Sequence, residues 1–130
     1  MKQILQNISN GKTDLIEVPC PKNKSGNVLI ETRKTIISKG TEKMLIDFGK
    51  SSLLGKAISQ PDKVKQTLEK IKNDGLSATY DAVTSKLEQP VPLGYCNVGK
   101  IIDSSNTNFA IGTRVVSNGF HAEIVDVQKI

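Results

Sequence analysis

Hydrophobic and polar residues alternate along the first forty positions of the chain. From Val28 to Lys34, apolar or β-branched residues are interleaved with charged ones, which indicates a strand partly buried on both faces. An Asn-Gly pair at 10–11 separates two shorter apolar runs and is typical of a hairpin turn. The strands predicted here are "KQILQNI" at 2–8, "TDLIEVP" at 13–19 and "VLIETRKTIIS" at 28–38.

The pattern changes at Gly40 to helical spacing. Val64, Leu68 and Ile71 recur at i, i+4 and i+7, the spacing of one helix face. The predicted helical segments are "GTEKMLIDFGK" at 40–50, "SSLLGKAI" at 51–58, "SQPDKVKQTLEKIKNDG" at 59–75 and "LSATYDAVTSKLEQP" at 76–90. The predicted N-caps of the first, third and fourth are Thr41, Ser59 and Ser77, and the predicted ends of the first and third are Gly49 and Gly75.

Strand patterns return after residue 93. They are "YCNVGKIIDS" at 95–104, with a break expected at Gly99, "TRVVSNG" at 113–119 and "HAEIVDV" at 121–127, with a polar loop at 104–112. A chain of 130 residues suits one domain with its own core. The sequence therefore predicts a mainly β domain, a small barrel or sandwich, with a helical insertion at about 41–89.

Composition argues against two classes of protein, nucleic-acid binders and membrane proteins. The net charge is +5, but the sixteen Lys are scattered and aromatic residues make up only 4% of the chain, so bases would find few stacking platforms. We therefore expect no nucleic-acid partner. No apolar run approaches the length of a membrane span, and the N-terminus has no signal-peptide core, so we expect a cytoplasmic protein without a membrane partner. Cys20 and Cys96 are far apart and match no zinc-ribbon or CxxC pattern.

Four short motifs occur in the order and spacing of a known domain. They are "ISKGTE" at 37–42, "GYCNVG" at 94–99, "GTRV" at 112–115 and "GFHAE" at 119–123. Together they resemble Gly-x-Cys-Gly-Ser/Thr-Asp, Gly-His-Glu-x-x-Gly, Gly-Asp-Arg-Val and Gly-x-x-Ala-Glu in the N-terminal, GroES-like catalytic domain of medium-chain dehydrogenases/reductases, the zinc alcohol dehydrogenase superfamily. The resemblance implies a GroES-like β-barrel over residues 1–130.

Three longer segments, "ISKGTEKMLIDFGKSSLLGKA" at 37–57, "QPDKVKQTLEKIKNDG" at 60–75 and "PLGYCNVG" at 92–99, resemble the start of bi-domain threonine- or alcohol-dehydrogenase-like oxidoreductases, so the resemblance covers the helical insertion as well. In those proteins a medium-chain dehydrogenase half often precedes a Gfo/Idh/MocA-type half, and they tend to occur with surface-polysaccharide biosynthesis. The resemblance implies an NAD(P)-dependent oxidoreductase that acts on a carbonyl or hydroxyl of a small-molecule substrate. It leaves open whether the full-length protein is a homo-oligomer.

The positions of the family's zinc ligands are occupied by other residues. Lys39 stands at the Cys position and Tyr95 at the His position, and the four-cysteine structural lobe is absent. A protonated Lys cannot ligate, Tyr is a poor zinc ligand, and the neighbouring Cys96 cannot hold the ion alone. We therefore expect no zinc.

The same resemblance identifies candidate catalytic residues. Thr41 matches the hydroxyl that contacts the substrate oxygen, and Glu42 matches the acidic residue after it. Lys39 and Tyr95 would polarise a carbonyl in place of zinc, and Cys96 is a further candidate. Each has a simpler explanation: Thr41 as a helix cap, Lys39 as a solvated lysine, and Tyr95 and Cys96 as packing residues.

His121 is the only histidine and a candidate acid or base, since His changes charge near neutral pH. The sequence names no partner for it, so a structural role stays open. The chain contains no Gly-x-Gly-x-x-Gly turn. The resemblance thus implies that NAD or NADP is held by a C-terminal Rossmann domain beyond this chain. The alternative is a standalone GroES-like binding or assembly module without catalysis.

Overall fold

The structure, a computed structural model, describes residues 1–104 and 107–128. Two residues of the loop expected at 104–112 and the last two of the chain lie outside this part. Within it the chain forms seven strands and four helices. In order they are β1 (Lys2–Asn7), β2 (Thr13–Glu17), β3 (Val28–Thr35), α1 (Lys39–Lys50), α2 (Leu53–Ser59), α3 (Pro61–Asp74), α4 (Leu76–Glu88), β4 (Pro90–Pro92), β5 (Asn97–Ser104), β6 (Arg114–Ser117) and β7 (Ile124–Val127).

Strands β3 and β5 form the centre of a four-stranded antiparallel sheet with the order β6-β5-β3-β7. Ile30 of β3 lies between Ile101 of β5 and Val125 of β7, and all three side chains are buried. Burial of such β-branched pairs is the main force that holds neighbouring strands together. The core cluster consists of Val28, Ile30, Ile101, Val115, Ala122, Val125 and Val127.

Gly99 lies inside β5 and does not break it, contrary to the sequence prediction. It is paired with Thr32 of β3 and Val115 of β6. A Cβ at this position would lie 2.3 Å from the Glu31 carbonyl oxygen and 2.5 Å from Ile30 Cγ2. Glycine is therefore needed here because the backbones of β3 and β5 approach too closely for a side chain, and the pairing of the two strands continues past it.

A second sheet has the order β2-β1-β4. The predicted hairpin between the first two strands is confirmed, because β1 and β2 are neighbours in this sheet. Gly11 in the connection has a φ of 71°, in the left-handed region that favours glycine, and its N–H donates to the Asn7 carbonyl at 2.8 Å.

The chain divides into two compact units. The first comprises residues 1–5, 14–42 and the segment from Pro92 onward, and it contains the four-stranded sheet. The second comprises residues 6–13 and 43–91, and it contains helices α2, α3 and α4. None of the helices in the described part of the chain is long and apolar enough to cross a membrane.

The helices of the second unit bury few side chains. No residue of α3 is buried, and Leu68 of its predicted apolar face is exposed, while Val64 and Ile71 are half-buried. In α2 the buried side chain is Lys56, whose ammonium donates to the carbonyl oxygens of Gly49 at 2.9 Å and Ser51 at 2.5 Å. These bonds satisfy a charged group that would otherwise be costly to bury.

All three predicted N-caps are wrong. Thr41 lies inside α1, which begins at Lys39 after Ser38, and Ser77 lies inside α4, which follows Gly75. Ser59 is the last residue of α2, and Gln60 precedes α3 without a side-chain cap. The predicted C-cap at Gly75 is confirmed by a φ of 85°.

The predicted fold class is confirmed. Antiparallel strands flank a helical insertion that runs from Lys39 to Glu88, close to the expected 41–89. This is a GroES-like fold with a helical insertion.

Candidate functional site

A buried carboxylate and imidazole meet in the first unit. Glu42 Oε1 lies 3.2 Å from His121 Nε2, and their side chains are only 11% and 6% exposed. Because an ionised carboxylate only accepts hydrogen bonds, the contact requires a proton on Nε2. His121 Nδ1 is buried as well and has no hydrogen-bond partner among the described residues.

Glu42 is positioned by the way α1 begins. The Ser38 hydroxyl accepts from the Thr41 N–H at 3.3 Å, and the Ser38 carbonyl accepts from the Glu42 N–H at 2.9 Å. Glu42 Oε1 in turn accepts from the Ser38 N–H at 3.0 Å. This reciprocal capping satisfies backbone donors that a helix start leaves unpaired, and it directs the carboxylate toward the interior.

His121 is positioned by Gly94. The His121 N–H donates to the Leu93 carbonyl at 2.8 Å, and the His121 carbonyl accepts from the Ile4 N–H at 2.9 Å. Gly94 has a φ of 94°, and a Cβ there would lie 2.7 Å from His121 N and 2.9 Å from Nδ1. The first glycine of "GYCNVG" is thus required both for its backbone conformation and for its contact with the imidazole.

The structure places the other predicted site residues at the surface or partly buried. Lys39, Thr41 and Tyr95 are exposed, Tyr95 to 45%, and Cys96 is half-buried as a free thiol. The Ser38 hydroxyl donates to Thr41 Oγ1 at 3.2 Å. Among the residues that the structure describes, no hydrogen bond or ion pair joins the side chains of Lys39, Thr41 or Tyr95 to the Glu42–His121 pair.

The sequence identified Glu42 and His121 separately but not as partners. It also missed Ser38 as the cap of α1 and Gly94 as the residue against the imidazole. One pattern pointed to the cap: in "SKGTE" a serine precedes an acidic residue by four positions, one more than the usual capping box. No local pattern pointed to the contact between Glu42 and His121, which are 79 residues apart.

The residues present do not fit a catalytic zinc. In the described part of the chain, no three His, Cys, Asp or Glu side chains form a group suited to a metal ion. A catalytic zinc site needs three such ligands around an open position.

Purified protein is expected to contain no stoichiometric zinc, because Lys39 and Tyr95 stand where soft ligands are needed. Elemental analysis by inductively coupled plasma mass spectrometry after gel filtration measures this directly. The double variant Lys39→Cys/Tyr95→His is a useful comparison, because it restores two of the missing ligand types. One tightly held zinc per chain in the unmodified protein would contradict the expectation.

Comparison with known proteins identifies a fold and no family. No protein-family model matches the sequence, and no curated protein matches it either. The structure of the quinone oxidoreductase from Coxiella burnetii is similar to this chain, with a TM-score of 0.56 and 20% sequence identity. The alignment covers 97% of this chain and 34% of that one, so this chain spans about a third of the length of that oxidoreductase. The chain thus has the fold of one portion of that protein.

Proposed function

We propose that this chain is the substrate-binding and catalytic domain of a zinc-independent, NAD(P)-dependent oxidoreductase that acts on a carbonyl or hydroxyl group. The similarity of nearly the whole chain to one portion of a quinone oxidoreductase carries the proposal. Its substrate would be a small molecule, and the resemblance to bi-domain oxidoreductases favours a role in surface-polysaccharide biosynthesis. A cytoplasmic location is proposed from the sequence pattern alone.

The residues of this chain do not fit a dinucleotide site by themselves. The one strand-to-helix connection in the described part, residues 36–38 between β3 and α1, contains no glycine and exposes Ile36 and Ile37. A dinucleotide-binding turn needs several glycines so that the backbone can approach the pyrophosphate. The cofactor would therefore be held by a separate nucleotide-binding domain.

This chain would hold the substrate and donate one proton to the substrate oxygen during carbonyl reduction. Reduction of a carbonyl creates negative charge on its oxygen, and hydrogen-bond donors directed at that oxygen lower the barrier. Three exposed donors lie at the start of α1 and in the loop before β5: the Lys39 ammonium and the hydroxyls of Thr41 and Tyr95. In the proposal, Thr41 and Tyr95 bind the substrate oxygen, and the Lys39 charge favours the developing anion.

The Glu42–His121 pair would act as a positioning pair. Glu42 fixes the first turn of α1, which carries Lys39 and Thr41, through its bond to Ser38. His121 packs against Gly94, the residue before Tyr95. The 3.2 Å contact between the two side chains therefore couples the two segments that bear the proposed donors.

The proposal is tested on this chain together with the nucleotide-binding domain that the proposal requires, which the reading frame around the gene would identify. NAD(P)H oxidation would be followed with quinones, aldehydes and keto-sugar nucleotides, and the reverse reaction with the matching alcohols. Saturable turnover with one substrate class is expected without added metal. Absence of turnover with every class, together with an unaltered fold, would favour the alternative of a non-catalytic GroES-like module.

Tyr95→Phe in the full-length enzyme is expected to lower kcat about tenfold, which corresponds to the loss of one hydrogen bond in the transition state. The KM should change little, because the hydroxyl acts mainly on the developing charge. Tyr80→Phe is the matched control, since Tyr80 is the other tyrosine of the chain and lies exposed on α4. Equal kcat values for the two variants would show that Tyr95 is a packing residue.

A further inference from the structure

The helices of the second unit line a cavity of about 620 Å³. Its volume lies within the range of small-molecule sites, roughly 300–1,000 Å³. None of the candidate site residues of the preceding sections lines it, so ligand binding here can be tested apart from the oxidoreductase site. Large apolar side chains from all four helices contribute to the lining: Phe48, Leu53, Val64, Leu68, Val83 and Leu87.

The apolar side chains of this cavity are accessible to a ligand. Leu53 and Leu68 are 58% and 55% exposed, and no residue of α3 is buried. Soluble proteins rarely leave apolar side chains grouped together in solvent unless a ligand or a partner covers them. The grouping therefore indicates a binding site.

Two threonines of the lining are engaged with their own helices. The hydroxyls of Thr67 and Thr84 donate to backbone carbonyls one turn earlier, at 2.8 and 2.9 Å. Among the described residues, none of the buried polar side-chain atoms without a partner belongs to the lining. A ligand with polar groups along its whole length, such as an extended peptide, would leave those groups unpaired against this surface. The lining thus favours an occupant that is apolar over most of its length.

The charged side chains of the lining are lysines: Lys56, Lys63, Lys70 and Lys86. In the part of the chain that the structure describes, no Asp or Glu lines the cavity. The Lys56 ammonium already donates to two backbone carbonyls, and that of Lys70 lies 4.0 Å from Asp74. Lys63 and Lys86 are exposed, and lysines in such places lay their stems on apolar surface while the ammonium stays in water. Two cations at the edge of an apolar cavity favour an anionic head group.

A long-chain carboxylate combines the two properties that this lining selects, an apolar chain and one anionic head. Binding of the hydrocarbon chain is favourable in proportion to the apolar area that it removes from water. A concave cavity of this volume accepts one such molecule, whereas a bilayer binds a helix face that lies flat on it. We propose that the cavity binds a single long-chain carboxylate, with its chain along the apolar lining and its head at the edge that carries Lys63 and Lys86.

Isothermal titration of the 130-residue chain with monomeric laurate tests this inference. One laurate should bind per chain, with a Kd on the order of 10 µM. Dodecyltrimethylammonium, which has the same chain length and a cationic head, should bind at least tenfold more weakly, and butyrate should not bind measurably. Equal binding of laurate and the cationic amphiphile would overturn the proposal, and so would the absence of saturable laurate binding.

Leu68→Gln should weaken laurate binding at least tenfold, because a polar group then replaces apolar surface in the lining. The variant should fold normally, since the residue is largely exposed. Leu54→Gln is the matched control, because Leu54 is exposed on α2 outside the cavity, and it should bind laurate normally. Equal losses for the two variants would overturn the site.

Reversal of one lysine charge tests the placement of the head group. Lys63→Glu should weaken laurate binding about fivefold, the size expected for an exposed charge pair. Lys65→Glu changes the net charge equally, but Lys65 is exposed on α3 outside the cavity, so the affinity should stay within twofold of the unmodified chain. Equal losses for the two reversals would show that only the overall charge matters, and the proposed head-group position would be wrong.

A membrane surface or a second copy of the chain would give different results. Flotation with vesicles of phosphatidylcholine and phosphatidylglycerol, lost in Leu68→Gln and without saturable binding of monomeric laurate, would overturn the proposal in favour of membrane docking. A dimer in sedimentation velocity that Leu68→Gln dissociates, again without laurate binding, would assign the cavity to a second copy and overturn it as well. A monomer that binds one laurate is the expected result.

Discussion

Gly99→Ala is expected to destabilise the first unit by on the order of 3 kcal/mol or more, at the upper end of the cost of overpacking. The added Cβ would lie 2.3 Å from the Glu31 carbonyl oxygen, which is backbone and has no rotamer to escape into. Strands β3 and β5 would have to separate at the centre of the sheet, where Ile30 and Ile101 are buried. Since whole domains are stable by only about 5–15 kcal/mol, this is a large fraction of the total.

Urea unfolding followed by circular dichroism measures the effect. Gly40→Ala is the matched control, because Gly40 lies in the first turn of α1 and nothing lies within 4 Å of a Cβ there. Alanine is favoured over glycine in helices by up to about 1 kcal/mol, so this control should be neutral or slightly stabilising. Similar midpoints for the two variants would show that β3 and β5 do not approach as closely as described.

Glu42→Ala should cost roughly 2–4 kcal/mol, because it leaves two donors without their acceptor. One is the buried His121 Nε2, at 3.2 Å from Glu42 Oε1, and the other is the Ser38 N–H, at 3.0 Å from the same oxygen. The loss should appear in the unfolding free energy of the isolated chain. In the proposed oxidoreductase, kcat should fall as well, since the first turn of α1 and the Gly94 loop lose their common support.

Glu42→Gln provides the informative control. Because one oxygen accepts both hydrogen bonds, a glutamine amide oxygen in that place keeps both and loses only the negative charge. The expected cost is about 1 kcal/mol, the difference between a charged and a neutral acceptor. Glu69→Ala, on the exposed part of α3, should change nothing measurable. If Gln and Ala at position 42 were equally destabilising, the charge rather than the hydrogen bonds would hold the pair together.

Much of the fold follows from local patterns. The alternation in β3 predicted a strand because burial on two sides selects β-branched residues at those positions, and Ile30 is indeed fully buried. The glycine at 75 predicted a helix end because only glycine readily adopts its positive φ. The predicted N-caps were wrong because serine and threonine are frequent near helix starts, so their presence does not identify the capping residue. Helix α1 begins after Ser38 and not at Thr41 because of where β3 ends, at Thr35. The end of β3 depends in turn on its pairing with the other strands of the sheet.

The sequence identified the two residues of the buried pair as separate candidates, but it did not predict that they are in contact. Glu42 stood out by its match to the family motif and His121 as the only histidine, yet their contact depends on how the start of α1 and the segment before β7 pack in the folded unit.

The absence of buried side chains in α3 determines which substitutions the protein can tolerate there. Most replacements there should alter charge or solubility and little else. At Gly94 and Gly99 a single methyl group already displaces neighbouring atoms. Substitutions should therefore be tolerated along α3 and rejected at these two glycines.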